Sequence, residues 1–177
     1  KKEFSQLPKK DVELAMKKFE NKKLNDWQKI KLTRQFLRKI YSSFSSRKIF
    51  SSKGKSAEWY LMKHKSTKER FEHYDEIYKR IFPKTGKFSI VDLGAGINGL
   101  SFLPFTNPRT NSQPHSFMDY NVKLLAHPGK SIDNKLSSRI INYIGIEAIG
   151  QFVDLMNGFF RKNKKNWKAY HLSLFEL

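Results

Sequence analysis

The sequence predicts an α/β fold: a partial parallel sheet entered through a basic, α-helical amino-terminal extension. Three observations point there. The apolar run Phe88–Leu93 breaks into a glycine loop, Gly94-Ala95-Gly96-Ile97-Asn98-Gly99. Two further strand-like runs, 142–148 and 169–174, flank one apolar helical stretch. The positive charge is concentrated ahead of the loop.

That charge is large. The 177 residues hold 35 Lys and Arg against 16 Asp and Glu, a formal net charge of +19. Residues 1–89 carry 25 basic and 10 acidic side chains, whereas residues 90–177 carry 10 and 6. A basic field of this kind attracts polyanions. A merely solubilising charge or an anionic membrane surface are the alternatives, and the aromatics interleaved with the basic residues favour nucleic acid. The absence of Cys excludes a disulfide framework, a thiolate metal site and a Cys nucleophile within this sequence. No apolar run approaches the roughly 18 residues of a membrane span. A soluble, cytoplasmic, monomeric protein with no membrane partner is the expectation.

In chain order, residues 1–23 read as a short amphipathic helix, with Pro8 in a first-turn position and Val12, Leu14, Ala15 and Phe19 at helical spacing. A second helix begins near Asn25-Asp26, either of which can cap it. Its expected apolar face is Trp27, Ile30, Phe36, Leu37, Ile40, Tyr41 and Phe44. Between Trp27 and Ala57 stand nine basic residues and no acid: Lys29, Lys31, Arg34, Arg38, Lys39, Arg47, Lys48, Lys53 and Lys55. A solvated helical face accounts for the stripe but not for the missing acids. Ser56–His64 reads as a short helix. Ser66-x-x-Glu69 has the form of a capping box, so a helix is expected from there, with Phe71, Tyr74, Ile77, Tyr78, Ile81 and Phe82 on one face. It ends at the turn Pro83-Lys84-Thr85-Gly86.

Phe88–Leu93 then suits a buried parallel strand with Asp92 at its carboxyl end. Gly94, Gly96 and Gly99 match Gly-x-Gly-x-x-Gly, the Rossmann-like dinucleotide fingerprint, which alone is a weak signal. An ordinary strand-turn-helix junction and a nicotinamide or flavin site both fit it. Asp92, two residues before the first glycine, makes Asp-x-Gly-x-Gly, which resembles motif I of class I methyltransferases.

Residues 101–138 hold four of the six prolines and no sustained periodicity, and are read as an insertion with no assignable function. His115 and His127 lie within it without a second set of ligands, so no metal site is expected. The run 142–148 reads as a strand ending in the acid Glu147, followed by a helix bearing Phe152, Val153, Leu155, Met156, Phe159 and Phe160. Ala169–Leu174 alternates as a third strand. Asp154 reads as a solvated helix residue.

Together, His64-x-Ser66-Thr67-x-Glu69-Arg70, then Tyr74-Asp75 and Tyr78, then Asp92 through Leu100, resemble the 16S ribosomal RNA (guanine-N7) methyltransferases that confer aminoglycoside resistance. The resemblance runs from about residue 8 to 100 and again from about 143 to 174. It implies a class I methyltransferase using S-adenosylmethionine, with ribosomal RNA or the small ribosomal subunit as partner. Residues 1–65 would be the RNA-docking extension, with Lys29, Lys31, Arg34, Arg38, Lys39, Arg47 and Lys48 as its RNA-binding residues. Residues 66–177 would be the amino-terminal part of the cofactor domain.

By motif position Arg70 would meet the methionine carboxylate, and Asp92, Gly94, Ala95 and Gly96 would line the cofactor. Glu147, at the end of the second strand, would accept hydrogen bonds from the ribose. A guanidinium suits a carboxylate because it offers two parallel charge-assisted hydrogen bonds; a surface pair of Arg70 with Glu69 or Glu72 is the plain alternative. The third strand carries Ser173 where the family tends to have an acid. Three strands are about half of such a sheet, so the chain reads as carboxyl-terminally truncated, and the activity of this part alone stays open. No catalytic residue is named: guanine N7 has a lone pair and no proton to lose, so in-line placement suffices. A non-catalytic RNA- or ribosome-binding module is the alternative function.

Overall fold

The computed structural model describes residues 4–41, 49, 54–104, 134–173 and 175. Two neighbouring helices open it, α1 (Lys9–Glu20) and α2 (Asp26–Tyr41). Asn25 caps α2 reciprocally: its Oδ1 accepts from the Gln28 N–H at 2.9 Å, and its own N–H donates to Gln28 Oε1 at 3.1 Å. Phe19 of α1 meets Phe36 of α2 edge to face, and Lys29 Nζ donates to the Glu20 carbonyl. The apolar face expected for α2 is narrower than its sequence suggests. Thr33 and Leu37 are buried, whereas Trp27, Ile30 and Ile40 are exposed. A contact one helix wide covers a single stripe of α2, and the Thr33 hydroxyl tolerates burial by donating to the Lys29 carbonyl.

The connector to the sheet is built from short pieces, and the helix expected from Ser66 onward is interrupted. Helix α3 (Ala57–Lys63) starts on Ser56, whose Oγ accepts from the Trp59 N–H. Helix α4 (Lys65–Arg70) follows, then a 3-10 turn (Phe71–His73), then α5 (Tyr74–Ile81). Ser66 does not form the expected capping box. It lies inside α4, and its hydroxyl sits 3.2 Å from His64 Nδ1. The residue that closes the α3–α4 corner is Thr67, buried, donating from Oγ1 to the Leu61 and His64 carbonyls. The break at Phe71 lets α5 turn Tyr74 and Tyr78 inward.

Three parallel strands follow, β1 (Phe88–Leu93), β2 (Ile140–Glu147) and β3 (Lys168–His171), in spatial order β1-β2-β3. A 3-10 turn (Asn98–Phe102) and α6 (Asn134–Arg139) stand between β1 and β2. Most of the expected insertion, residues 105–133, lies outside the described residues. Its two flanks belong to the fold, since Ser101–Leu103 and Leu136–Ser137 are buried. Helix α7 (Gly150–Lys162) crosses from β2 to β3 and buries Phe152, Val153, Met156 and Phe160.

The sheet is apolar on both faces, but α7 covers one. Tyr143 and Ala169 face the core, while Val91 and Leu93 remain 65% and 59% exposed, with Ile144, Tyr170 and Leu172 also open. Thus β1 is half-covered rather than buried. Right-handed crossovers in a sheet whose order runs one way place their helices on the same face, which leaves the other bare.

Candidate functional site

Where β1 ends, the backbone turns through two left-handed glycines, Gly94 (φ 70°) and Gly96 (φ 55°). A β-carbon is strained at both angles. The N–H groups of Gly94 and Ala95 donate to the Ile146 carbonyl, each at 2.9 Å, so the loop folds back over β2. Glu147, at the end of β2 and 7% exposed, locks it there. Its Oε2 accepts from the Gly96 N–H at 2.7 Å and its Oε1 from the Ile149 N–H at 2.8 Å. Burial raises the Glu147 pKa, and the backbone N–H groups of Ile149 and Gly96 oppose that rise. Gly99 is required for space: a β-carbon there would stand 2.8 Å from the Phe160 ring and 2.9 Å from Tyr143.

A polar network supports the loop from below. Asp92 Oδ2 accepts from Asn98 Nδ2 at 3.0 Å and from the Tyr143 hydroxyl at 2.9 Å. Asn98 Oδ1 accepts in turn from the Tyr74 hydroxyl at 3.0 Å, and the Tyr78 hydroxyl lies 2.5 Å from Ser101 Oγ. Burial pushes the Tyr74 hydroxyl up to about 12 and raises Tyr78 and Tyr143 well above their ordinary value, so all three stay neutral hydrogen-bonding groups. Asp92 therefore fastens loop to sheet, and the Tyr74 and Tyr78 motif positions of α5 reach the same knot.

Arg70, at the end of α4, is exposed and donates from Nε to the Ser66 carbonyl at 3.0 Å. It makes no ion pair with Glu69 or Glu72 among the described residues. Its charge acts on His64 and Tyr74. His64 is the residue that sequence reasoning left without a role. It is 2% exposed, packs edge to face on Phe152, and lies 3.2 Å from where a β-carbon on Gly96 would stand. Burial, and then the Arg70 charge, lower its pKa to about 4, so the ring is neutral. Its Nε2 is buried and has no hydrogen-bond partner among the described residues. Arg70, His64, the glycine loop and Glu147 thus gather at the carboxyl edge of the sheet, where parallel α/β folds bind ligands.

No family model and no curated protein matches the sequence. Solved structures do match the fold. The 16S rRNA methylase RmtB superposes with a TM-score of 0.70 at 16% identity, over 99% of this chain and 61% of that one. An rRNA methylase from Escherichia coli gives 0.68 at 16% identity, over 99% and 61%. The 16S rRNA methyltransferase RmtF, in complex with S-adenosyl-L-homocysteine, gives 0.63 at 15%, over 97% and 58%. The chain shares the fold of these structures over the part that it covers. The chain spans about three fifths of the length of each. The expected partial parallel sheet behind a helical extension is therefore the observed one, and it matches part of a methyltransferase fold.

In this methylase fold the basic residues of α2 divide into two groups. Lys31, Arg34 and Arg38 fall at i+4, i+7 and i+11 from Trp27, one exposed stripe, and Lys31 Nζ stands 5.2 Å over the Trp27 ring. Lys29 lies on another face, turned to the Glu20 carbonyl, and Lys39 is exposed away from the stripe. Arg47 and Lys48 lie outside the described residues. Ser173 is buried at the end of β3 and donates to Asp11 of α1, whose other oxygen accepts from Tyr41 at 2.7 Å. The helical extension is thereby tied to the sheet. Among the described residues no cluster of three or more His, Asp or Glu could hold a metal ion, and no helix is long and apolar enough to cross a membrane.

Proposed function

We propose that the chain is part of an S-adenosylmethionine-dependent methyltransferase that acts on ribosomal RNA, at a guanine N7 of the small subunit. The observation that carries this reading is the glycine loop itself, set in a methylase fold, with Glu147 bonded to it and with His64, on which the Arg70 charge acts, against Gly96. The fit with the cofactor is supported by the loop's shape: Gly94 and Gly96 take left-handed angles, and Gly96 sits so close to His64 that a β-carbon would stand 3.2 Å from its ring. In this reading Arg70 holds the methionine carboxylate through paired charge-assisted hydrogen bonds. Gly94, Ala95 and Gly96 present backbone to the amino-acid end. Glu147, each of whose oxygens has a second lone pair, accepts from the ribose hydroxyls while it keeps Gly96 in place. Asp92 acts through the network, positioning the loop.

When bound, the cofactor supplies an electrophilic methyl group on a sulfonium. N7 of guanine needs no proton removed, so the chain's task is to hold that nitrogen in line with the methyl carbon, and no residue is assigned as a base. Residues 1–65 serve as the RNA-docking extension and residues 66–177 as the cofactor-binding part, in a cytoplasmic monomer. The test is methyl transfer from labelled S-adenosylmethionine to small ribosomal subunits, using the gene's whole product, with the methylated base mapped by cleavage at N7-methylguanine. Incorporation at one guanine is expected. RNA binding without any cofactor binding would instead identify a non-catalytic RNA-binding module.

A further inference from the structure

Trp27 is 67% exposed in the first turn of α2, while the two other tryptophans are covered, Trp167 buried and Trp59 half-buried. An indole left in water forgoes the burial that a ring of its size would gain. Its surroundings are specific. Lys31 lies over the ring, and Arg34 and Arg38 continue the same stripe, with the exposed Ile30 beside it. The stripe lies in the 27–57 segment, which contains no acidic residue. An aromatic face bordered by cations matches one ligand chemistry, an unpaired base on a phosphate backbone: the ring offers a stacking surface, and the cations meet the flanking phosphates.

We propose that Trp27 is a stacking platform for an unpaired nucleotide of the RNA partner, with Lys31, Arg34 and Arg38 holding the adjoining phosphates. This rests on the RNA-binding reading above. An apolar spot could also dock a protein. The charge complementarity of a stripe with three cations and no acid favours RNA. The geometry also separates two components of binding. The cations supply a salt-dependent, sequence-tolerant attraction. The indole carries no charge, so its contribution is independent of salt and requires an unstacked base.

The experiment is RNA binding by the whole chain, measured by fluorescence anisotropy across a salt series. The probes are a hairpin with an unpaired loop and a blunt duplex of equal length. Trp27→Ala is expected to weaken hairpin binding about 5- to 150-fold, the range for loss of one stacked base. The salt slope should stay unchanged, duplex binding should be little affected, and Trp27→Phe should recover most of the loss. The side chain is on the surface, so the melting temperature should not change. Unaltered hairpin affinity in Trp27→Ala would overturn the proposal while leaving RNA binding intact. A loss seen with ribosomal subunits but not with naked RNA would assign Trp27 to a protein contact, which also overturns it. No RNA binding by the unaltered chain would instead sink the functional reading on which it rests.

Discussion

The glycine loop and helix α2 bind their ligands by opposite means in this proposal. The loop depends on position: Glu147, Asp92, Asn98, Tyr74 and Tyr143 hold it through directional bonds in a largely buried setting. The exposed stripe of α2 depends on charge, and most of its side chains make no part of the core. Substitutions that damage folding are thereby separated from those that damage recognition. A buried network fails when one member is removed, whereas an exposed basic stripe loses affinity by increments.

The largest effect should come from Asn98→Leu. It strips the Asn98 amide from Asp92, which keeps only the Tyr143 hydroxyl, and removes the Asn98 acceptor of the Tyr74 hydroxyl; each buried group left under-satisfied costs about 1–3 kcal/mol. A destabilisation of at least about 2 kcal/mol in urea unfolding is expected; a smaller loss would mean that the network is dispensable.

The next effect is pH-dependent. His64 has a folded pKa of about 4 against an ordinary 6.5, so the unfolded chain takes up the proton first. Its contribution is intact above about pH 6.5 and is lost as the pH falls towards about 4, on the order of 3 kcal/mol in all. Glu147 shifts in the opposite sense and contributes stability that is lost as the pH rises. The difference between the wild-type and His64→Phe stability curves therefore isolates the His64 contribution. A flat difference curve between pH 4 and 6.5 would show that His64 is solvated.

The smallest effect on folding should come from replacing Lys31, Arg34 and Arg38, the cations of the stripe, together with Gln. Stability should change by less than about 0.5 kcal/mol for each surface substitution. RNA affinity should fall, and the slope of its logarithm against log salt should flatten by about 0.7–0.9 for each phosphate that is no longer neutralised. An unchanged slope would remove these residues from the interface, and the contrast between the two regions would collapse.

Local features are legible in the sequence. Phe88–Leu93 is bounded by its alternation and by the glycines that end it, and α7 follows from period and apolar content; the third strand also follows, but runs over Lys168–His171 and stops short of the alternation that continues through Leu172 and Ser173. The loop's conformation is legible because left-handed angles select glycine. What is not legible depends on distant partners. Periodicity marks Trp27, Ile30, Leu37 and Ile40 as apolar, but only the packing of α1 decides which of them is covered. Ser66 and Glu69 have the spacing of a capping box, yet His64 draws the Ser66 hydroxyl and Thr67 closes the corner instead. The reach of Tyr74 to Asn98 spans 24 residues of chain, beyond any local pattern. The donors that Glu147 accepts from, the Gly96 and Ile149 N–H groups, are likewise invisible until loop and strand are brought together.

The functional reading stands on the Gly94–Gly96 loop as the seat of the amino-acid end of S-adenosylmethionine, and its sharpest test is calorimetric titration of the chain with S-adenosylhomocysteine. Saturable one-to-one binding is predicted, with no comparable affinity for a nicotinamide dinucleotide. A Gly94→Val variant, less stable because its side chain is strained at a left-handed angle but still folded and still binding RNA, should lose the binding. Absence of binding by the folded wild-type chain, or equal binding by Gly94→Val, would contradict that reading.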